Sequence, residues 1–194
     1  MTSKPYHHGN LRTSLIEAGI ELINQKGIEQ LSLRKVCTLC GVSQSAPYSH
    51  FQNKEELLLA MQDHVIKQFM GVLNHAIESC PDPNDPCVLI QMGKSYVLFF
   101  IKNPQYFQFL FSQPFMTVDL DLDADGSKNF PPYELLKTMI SRIFGNAGMG
   151  KEKMQDMIIA LWATVHGLAS IATMKNVRYD KDWESKIVDI IWNK

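Results

Sequence analysis

Gly41-Val42-Ser43-Gln44-Ser45-Ala46-Pro47-Tyr48-Ser49-His50-Phe51 is the stretch on which the reading of this chain turns. A glycine suited to the left-handed backbone that ends a helix is followed two residues later by a serine able to cap the next helix. The spacing therefore predicts a helix that stops at Gly41 and another that starts at Ser43. Upstream, Ser32 is placed to cap the earlier helix, whose apolar positions are Leu33, Val36 and Leu39. Two short helices joined by so brief a reversal make a helix-turn-helix. Pro47 falls near the start of the second, where a missing N–H costs least.

Further upstream, Leu11, Leu15, Ala18, Leu22 and Ile23 recur at helical spacing, with Asn10 as a cap and Gly27 just past the last turn. Downstream, Asn53 and Glu56 form a capping-box pattern that opens a helix of about seven turns. Its expected buried stripe is Leu58, Met61, Val65, Phe69, Val72 and Ala76. The run Pro81-Asp82-Pro83-Asn84-Asp85-Pro86 ends it. An apolar helix then spans 88–101, and Asn103-Pro104 breaks it before a short aromatic helix at 106–111. An acidic loop leads from Pro114 to Pro132, followed by helices near 133–144, 152–175 and 182–192. No alternating strand pattern of useful length appears. The expected fold is all-α, of about nine helices: a three-helix module over 1–54, and a helical effector-binding and dimerisation domain over 55–194, joined by the long fourth helix.

The chain has 194 residues, a formal net charge of −1, 45% apolar and 20% charged residues. That composition excludes a polycation and a disordered chain. The charge is unevenly spread. Residues 1–54 hold six Lys or Arg against three acids, a formal +3, and the remainder carries −4. A positive module on a negative body points one end of the molecule at a polyanion. The 43–51 helix carries small hydrogen-bonding residues, which let its backbone approach a major groove closely. Ser43, Gln44 and Ser45 are candidates to meet base edges or phosphates, with Gln44 the favoured base reader. Ala46 and Pro47 share that short helix. Tyr48, His50, Lys54 and Arg34 are candidate phosphate contacts, which position the protein without specifying sequence.

With Tyr6-His7-His8-Gly9-Asn10-Leu11-Arg12 before it, Leu33-Arg34-Lys35-Val36 in the preceding helix and Asn53-Lys54-Glu55-Glu56-Leu57-Leu58 after it, this segment resembles the DNA-binding domain of the tetracycline-repressor (TetR) family over residues 6–66. Ser49 stands where many members have a basic residue, and Pro47 where Leu is commoner. The resemblance implies a cytoplasmic homodimer that binds a palindromic double-stranded DNA operator, usually as a repressor, and releases it when a small molecule enters the C-terminal domain. Trp162-Ala163-Thr164-Val165-His166-Gly167 resembles a WxxxHG motif of one branch of the family, carried on the penultimate helix that helps form the dimer. Leu161, Val165 and Leu168 then supply an apolar seam, and Gly167 and Ala172 permit close helix approach.

Eight of the nineteen aromatic residues lie between 96 and 115. Aromatic and methionine side chains line adaptable apolar pockets. Tyr96, Phe99, Phe100, Phe107, Phe111, Met139, Trp162 and His166 are accordingly the candidate contacts for a small apolar or aromatic effector, with plain core packing as the alternative. A ligand carrier that keeps a vestigial DNA-binding module is the other functional reading; the +3 module and the Tyr48 and Lys54 grip speak against it.

Other signals weigh less. Cys37 and Cys40 have metal-type spacing, but sit at i, i+3 on one helix and pack there as small apolar groups; no metal is expected. Asp121-Leu122-Asp123-Ala124-Asp125-Gly126 begins like a calcium loop, yet its twelfth position is Pro132. No GxGxxG, GxSxG or HExxH motif occurs, so neither a cofactor nor an enzyme is expected. The start lacks an apolar signal region. Met157 to Met174 is uncharged but interrupted by Thr164, His166, Gly167 and Ser170, and is read as a buried helix rather than a membrane span.

Overall fold

The structure is a computed structural model that describes residues 11–112, 116–145 and 147–192. The expected arm contacts from Lys4 to Asn10, the Asn10 cap and Phe115 lie outside the described residues. Those described form eight α-helices, with no strand: α1 (Leu11–Lys26), α2 (Leu33–Cys40), α3 (Lys54–Glu78), α4 (Cys87–Lys102), α5 (Pro104–Phe111), α6 (Pro131–Gly145), α7 (Lys151–Thr173) and α8 (Trp183–Trp192). Three short 3-10 turns complete the set. The all-α expectation holds. The expected third helix, however, is one of those turns, Ala46–Ser49, so the long connecting helix is α3.

Local chemistry explains most boundaries. Ser32 accepts the Lys35 N–H at 3.3 Å, and Gly41 closes α2 in the left-handed region at φ 67°. Between 43 and 51 the bonds are mainly of the tighter i to i−3 kind: Ala46 N–H to Ser43 O at 3.1 Å, Tyr48 to Ser45 at 3.3 Å and His50 to Pro47 at 2.9 Å. Pro47 has no N–H to continue an α ladder, and its ring would crowd the carbonyl four residues back. Asn53 caps α3 by accepting the Glu56 N–H at 2.8 Å. The return bond from Glu56 reaches the Gln52 N–H at 2.6 Å, one residue earlier than a standard capping box.

The buried faces differ in detail from expectation. α3 buries Leu57, Ala60, Met61, Val65, Phe69, Leu73 and Ala76, while Leu58 is half-buried and Val72 exposed. At helical spacing each turn offers a choice of i+3 or i+4, and packing selects Leu57 and Leu73 over their neighbours. α1 likewise buries Ile16, Gly19 and Ile20, with Ala18 only half-buried. Gly19 eases the packing there: a Cβ would stand 2.9 Å from Met61 Sδ, so its absence lets α1 lie close on α3 without moving the end of that side chain. α1, α2 and the first turns of α3 make the N-terminal module. The rest of α3 packs on α4, which in turn lies against α7 and α8.

Candidate nucleic-acid interface and interior site

The 43–54 segment presents a mixed surface. Ser43, Gln44, Ser45 and Tyr48 are exposed, Tyr48 to 62%. The Ser43 and Ser45 hydroxyls are hydrogen-bonded to each other at 3.1 Å, and Ser49 Oγ donates to Ala46 O at 2.8 Å, so these serines stiffen the turn. Gln44 and Tyr48 make no side-chain hydrogen bond among the described residues, which keeps their polar atoms available to a partner. Ala46 and His50 are half-buried. Pro47 is buried, so its ring serves packing and does not face outward. Arg34 is exposed on α2, and Lys54 is half-buried as the first residue of α3. Glu55 and Glu56 stand beside it in that first turn, so attraction for an anion there rests on Lys54 more than on the helix terminus. Arg12 lies over the Phe51 ring, 5.3 Å from its centroid, and ties α1 to the end of the 43–51 turn.

The expected effector residues other than Met139 form a continuous aromatic cluster. Phe69 of α3 meets Tyr96, Phe99 and Phe100 with centroids 4.9, 4.9 and 4.8 Å away. His166 of α7 lies among Phe111 at 4.5 Å, Phe107 at 5.2 Å and Trp162 at 5.9 Å, and its Nδ1 is 3.1 Å from the Tyr96 hydroxyl. Burial holds the His166 imidazole below its ordinary pKa and the Tyr96 phenol well above its own, so both are neutral near pH 7. These rings mostly fill space against one another. The cavity beside them is only about 30 Å³, room for roughly two waters. Its walls include Leu73, Met92, Tyr96, Leu136, Trp162 and Ile191. Of the eight candidates only Tyr96 and Trp162 line it; Phe99, Phe100, Phe107, Phe111, Met139 and His166 do not.

The candidate dimer residues divide between two faces of α7. Val165 is buried within the chain and Leu161 lines the cavity, so both serve the interior. Gly167 has open space where a Cβ would be, Leu168 and Ala172 are half-buried, and Ile171 nearby is 46% exposed. Among the described residues α7 alone is long and apolar enough to cross a membrane; its inner face, Met154, Ile158, Val165 and Ala169, is buried in this fold.

A polar network joins the module to the body. Tyr106 Oη of α5 donates to Glu17 Oε1 of α1 at 2.5 Å, and His64 Nε2 of α3 meets the same oxygen at 2.7 Å. Gln68 Nε2 reaches Tyr106 Oη at 3.2 Å. Beside them Asn24 Nδ2 donates to Gln105 O at 2.8 Å, and Gln108 Nε2 returns to Asn24 O at 3.2 Å. Burial and the Glu17 carboxylate push the Tyr106 phenol up to about 12, so it remains a donor.

Two family models match in chain order. "Bacterial regulatory proteins, tetR family" covers residues 15–61, and "Tetracyclin repressor-like, C-terminal domain" covers residues 89–187, half of the chain. The chain belongs to the tetracycline-repressor (TetR) family. Tetracycline repressor protein class G of Vibrio anguillarum is 40% identical over 55 residues, 28% of this chain and 26% of that protein. The class C repressor of Escherichia coli is 34% identical over 74 residues, 38% of this chain and 32% of its own length. The chain thus spans about a third or less of these relatives. The TetR fold extends over the whole described chain: a TetR-like transcriptional regulator from Rhodococcus sp. RHA1 superposes with a TM-score of 0.70 at 16% identity, covering 98% of this chain and 97% of that one. A TetR-family transcriptional regulator from Haemophilus influenzae gives 0.66 at 21% identity, covering 95% of each.

Against this TetR frame, sequence reasoning passed over Glu17, His64 and Tyr106 as a group. Glu17 is separated from His64 by 47 residues and from Tyr106 by 89, so no local spacing links them. Tyr106 was visible only as one aromatic residue among eight.

Proposed function

We propose that this chain is a DNA-binding transcriptional regulator, a repressor released from a palindromic operator by a small, apolar or aromatic effector. What supports the reading most directly is the turn from Gly41 to Phe51, which leaves Gln44 and Tyr48 exposed on a positive module beside Arg34 and Lys54. Gln44 reads bases, Ser43 and Ser45 approach the groove, and Arg34, Tyr48, His50 and Lys54 hold phosphates. The module comprises 1–54 and the body 55–194, with α3 shared: Leu57 and Met61 belong to the module core, Phe69 and Leu73 to the body.

Two copies assemble through the outer face of α7, around Gly167, Leu168, Ile171 and Ala172, together with α8; covering this face accounts for an apolar helix whose inner side alone is buried. The Trp162–Gly167 motif supports placing the chain in the WxxxHG branch of the family. The pair works in the cytoplasm, where its operator is. A vestigial module is disfavoured, since Gln44 and Tyr48 remain unengaged and exposed, and the reading calls for no catalysis.

Release works by population shift. Effector entering beside Tyr96 and Trp162 displaces rings that α5 carries, Phe107 and Phe111. The opposite face of α5 is bonded to α1 through Tyr106, Gln105 and Gln108, so displacement of α5 turns the module and takes the two reading turns out of register with half-sites about 34–36 Å apart. Selection from random duplexes followed by fluorescence anisotropy tests the reading. It expects a palindromic consensus and, for Gln44→Ala, loss of roughly 1–3 kcal/mol of discrimination at one or two positions per half-site. Equal affinity for all duplexes would sink it.

A further inference from the structure

A groove of about 430 Å³ runs over the face where α4, α6, α7 and α8 meet, with Ile90, Phe144, Met157 and Ala160 among its walls. It adjoins the interior cavity. Leu89, Leu161 and Ile191 line both spaces, so these three side chains form the partition between the surface and the cavity of about 30 Å³ behind it. Leu89 and Leu161 are carried on helices of 16 and 23 residues, whereas Ile191 stands in the last turn of α8, which has 10. The carbonyls of a last turn lack onward helical partners, and helix ends open at low cost. The Lys94–Glu184 ion pair fastens α8 to α4 at its first turn, the end away from Ile191. Gly93 provides a socket: a Cβ there would stand 2.7 Å from Ile191 Cδ1, so the tip of Ile191 sits in the notch that the glycine leaves.

Size and charge together narrow the class of ligand. The cavity alone holds little more than water, while the groove has the volume of a site for a small organic molecule. No charged residue lines the cavity, and an ion drawn into it would lose its hydration without an opposite partner. The groove is lined by a single charged residue, Asp156, exposed on α7 and without an ion-pair partner among the described residues. Asp156, Ala160 and Thr164 follow at four-residue spacing, so one face of α7 leads from that carboxylate along the groove, with Leu161 beside it at the partition. An occupant of both spaces therefore turns its apolar part inward and a positive charge toward Asp156, which repels an anion.

We propose that the groove is the mouth of the effector site, that Ile191 is its plug, and that the ligand is an elongated molecule with an apolar body and a cationic end. The body passes Ile191 into the cavity, and the cation stays outside at Asp156. The proposal rests on the regulator reading for its biological meaning, since it names the class of the effector, but binding is measured without DNA.

The test titrates the full chain with 4-phenylbutylammonium, 4-phenylbutanol and 4-phenylbutyrate by calorimetry, and follows association through tryptophan fluorescence, Trp162 being a wall of the cavity. Wild type is expected to bind the cation about threefold more tightly than the alcohol, as for one exposed ion pair, and the anion more weakly than either. Asp156→Asn removes the preference for the cation and leaves the alcohol unchanged, whereas Asp180→Asn, the same change of charge outside the groove, keeps it. Ala160→Trp fills the groove from an exposed position and should slow the association of all three probes by roughly tenfold. Ile191→Ala should speed it; if that variant does not fold, Ala160→Trp decides the route alone. Equal binding of cation and alcohol, preference for the butyrate, no binding of any probe, or unchanged association in Ala160→Trp would each overturn the proposal. So would binding that disappears at concentrations where sedimentation shows the chain paired, which would give the groove to a second copy. Operator binding by the ligand-free wild type separates the two readings: its absence removes the regulator, whereas failure with these probes removes only the mouth and the ligand class.

Discussion

The reading turn and the aromatic interior are built on opposite terms. Between 43 and 54 the Ser43, Gln44, Ser45 and Tyr48 side chains are exposed, and the segment is held by neighbours a few residues away: Ser43 to Ser45, Ser49 to Ala46, Glu56 to Asn53. Between α3, α4, α5 and α7 they are buried and held by rings from distant parts of the chain, as where Phe100 meets Phe69, Phe107 and Phe111 within 5.6 Å. The first region keeps polar atoms unspent for a partner. The second leaves little space and depends on rearrangement to admit one. A surface can therefore lose a side chain and keep its fold, while the interior cannot.

The largest expected effect tests that contrast directly. Phe69→Ala removes a fully buried ring that contacts four others and should cost roughly 3–5 kcal/mol in urea unfolding. Tyr48→Ala should change stability by no more than about 0.5 kcal/mol while weakening operator binding. A destabilisation of Tyr48→Ala matching that of Phe69→Ala would erase the distinction.

The same contrast governs what was legible before the structure. Ser32, Gly41, Asn53, the prolines from 81 to 86 and Asn103-Pro104 act through neighbours within four residues, so the helix boundaries and the exposed turn could be read from local spacing. The conversion of the third helix to a 3-10 turn was hidden because Pro47 is tolerated at a helix start and its register decides the outcome. The burial of Leu57 and Leu73 in place of Leu58 and Val72 was hidden because one helix offers two adjacent stripes and only its partners choose. Aromatic crowding announced an interior cluster, but not that Phe99, Phe107 and His166 pack on rings while Tyr96 and Trp162 line the cavity.

The seam between the regions is where a moderate effect is expected. Glu17 Oε1 serves both Tyr106 and His64, so Tyr106→Phe and Glu17→Gln each remove part of one shared arrangement. Each should shift the operator affinity of effector-free protein by roughly three- to tenfold, and a double-mutant cycle should give a coupling of about 1 kcal/mol rather than additivity. Additive effects, or unchanged affinity in both single variants, would show that α5 does not set the angle of the module.

The smallest effect isolates His166 inside the aromatic cluster. Burial lowers its pKa in the folded state, so the unfolded chain, with a histidine near 6.5, takes up the proton first as pH falls. The folded protein should therefore lose stability below about pH 6.5 and show no contribution from this group above it, with a slope of at most about 1.4 kcal/mol per pH unit for one proton. His166→Gln, which keeps an acceptor for the Tyr96 hydroxyl, should flatten the difference when urea midpoints are compared between about pH 5 and 8. Parallel wild-type and variant profiles would mean that the imidazole is charged, or free to meet water, among its three rings. The interior would then be as open to solvent at that point as the reading turn, and the contrast between the two regions would fail where it is drawn most sharply.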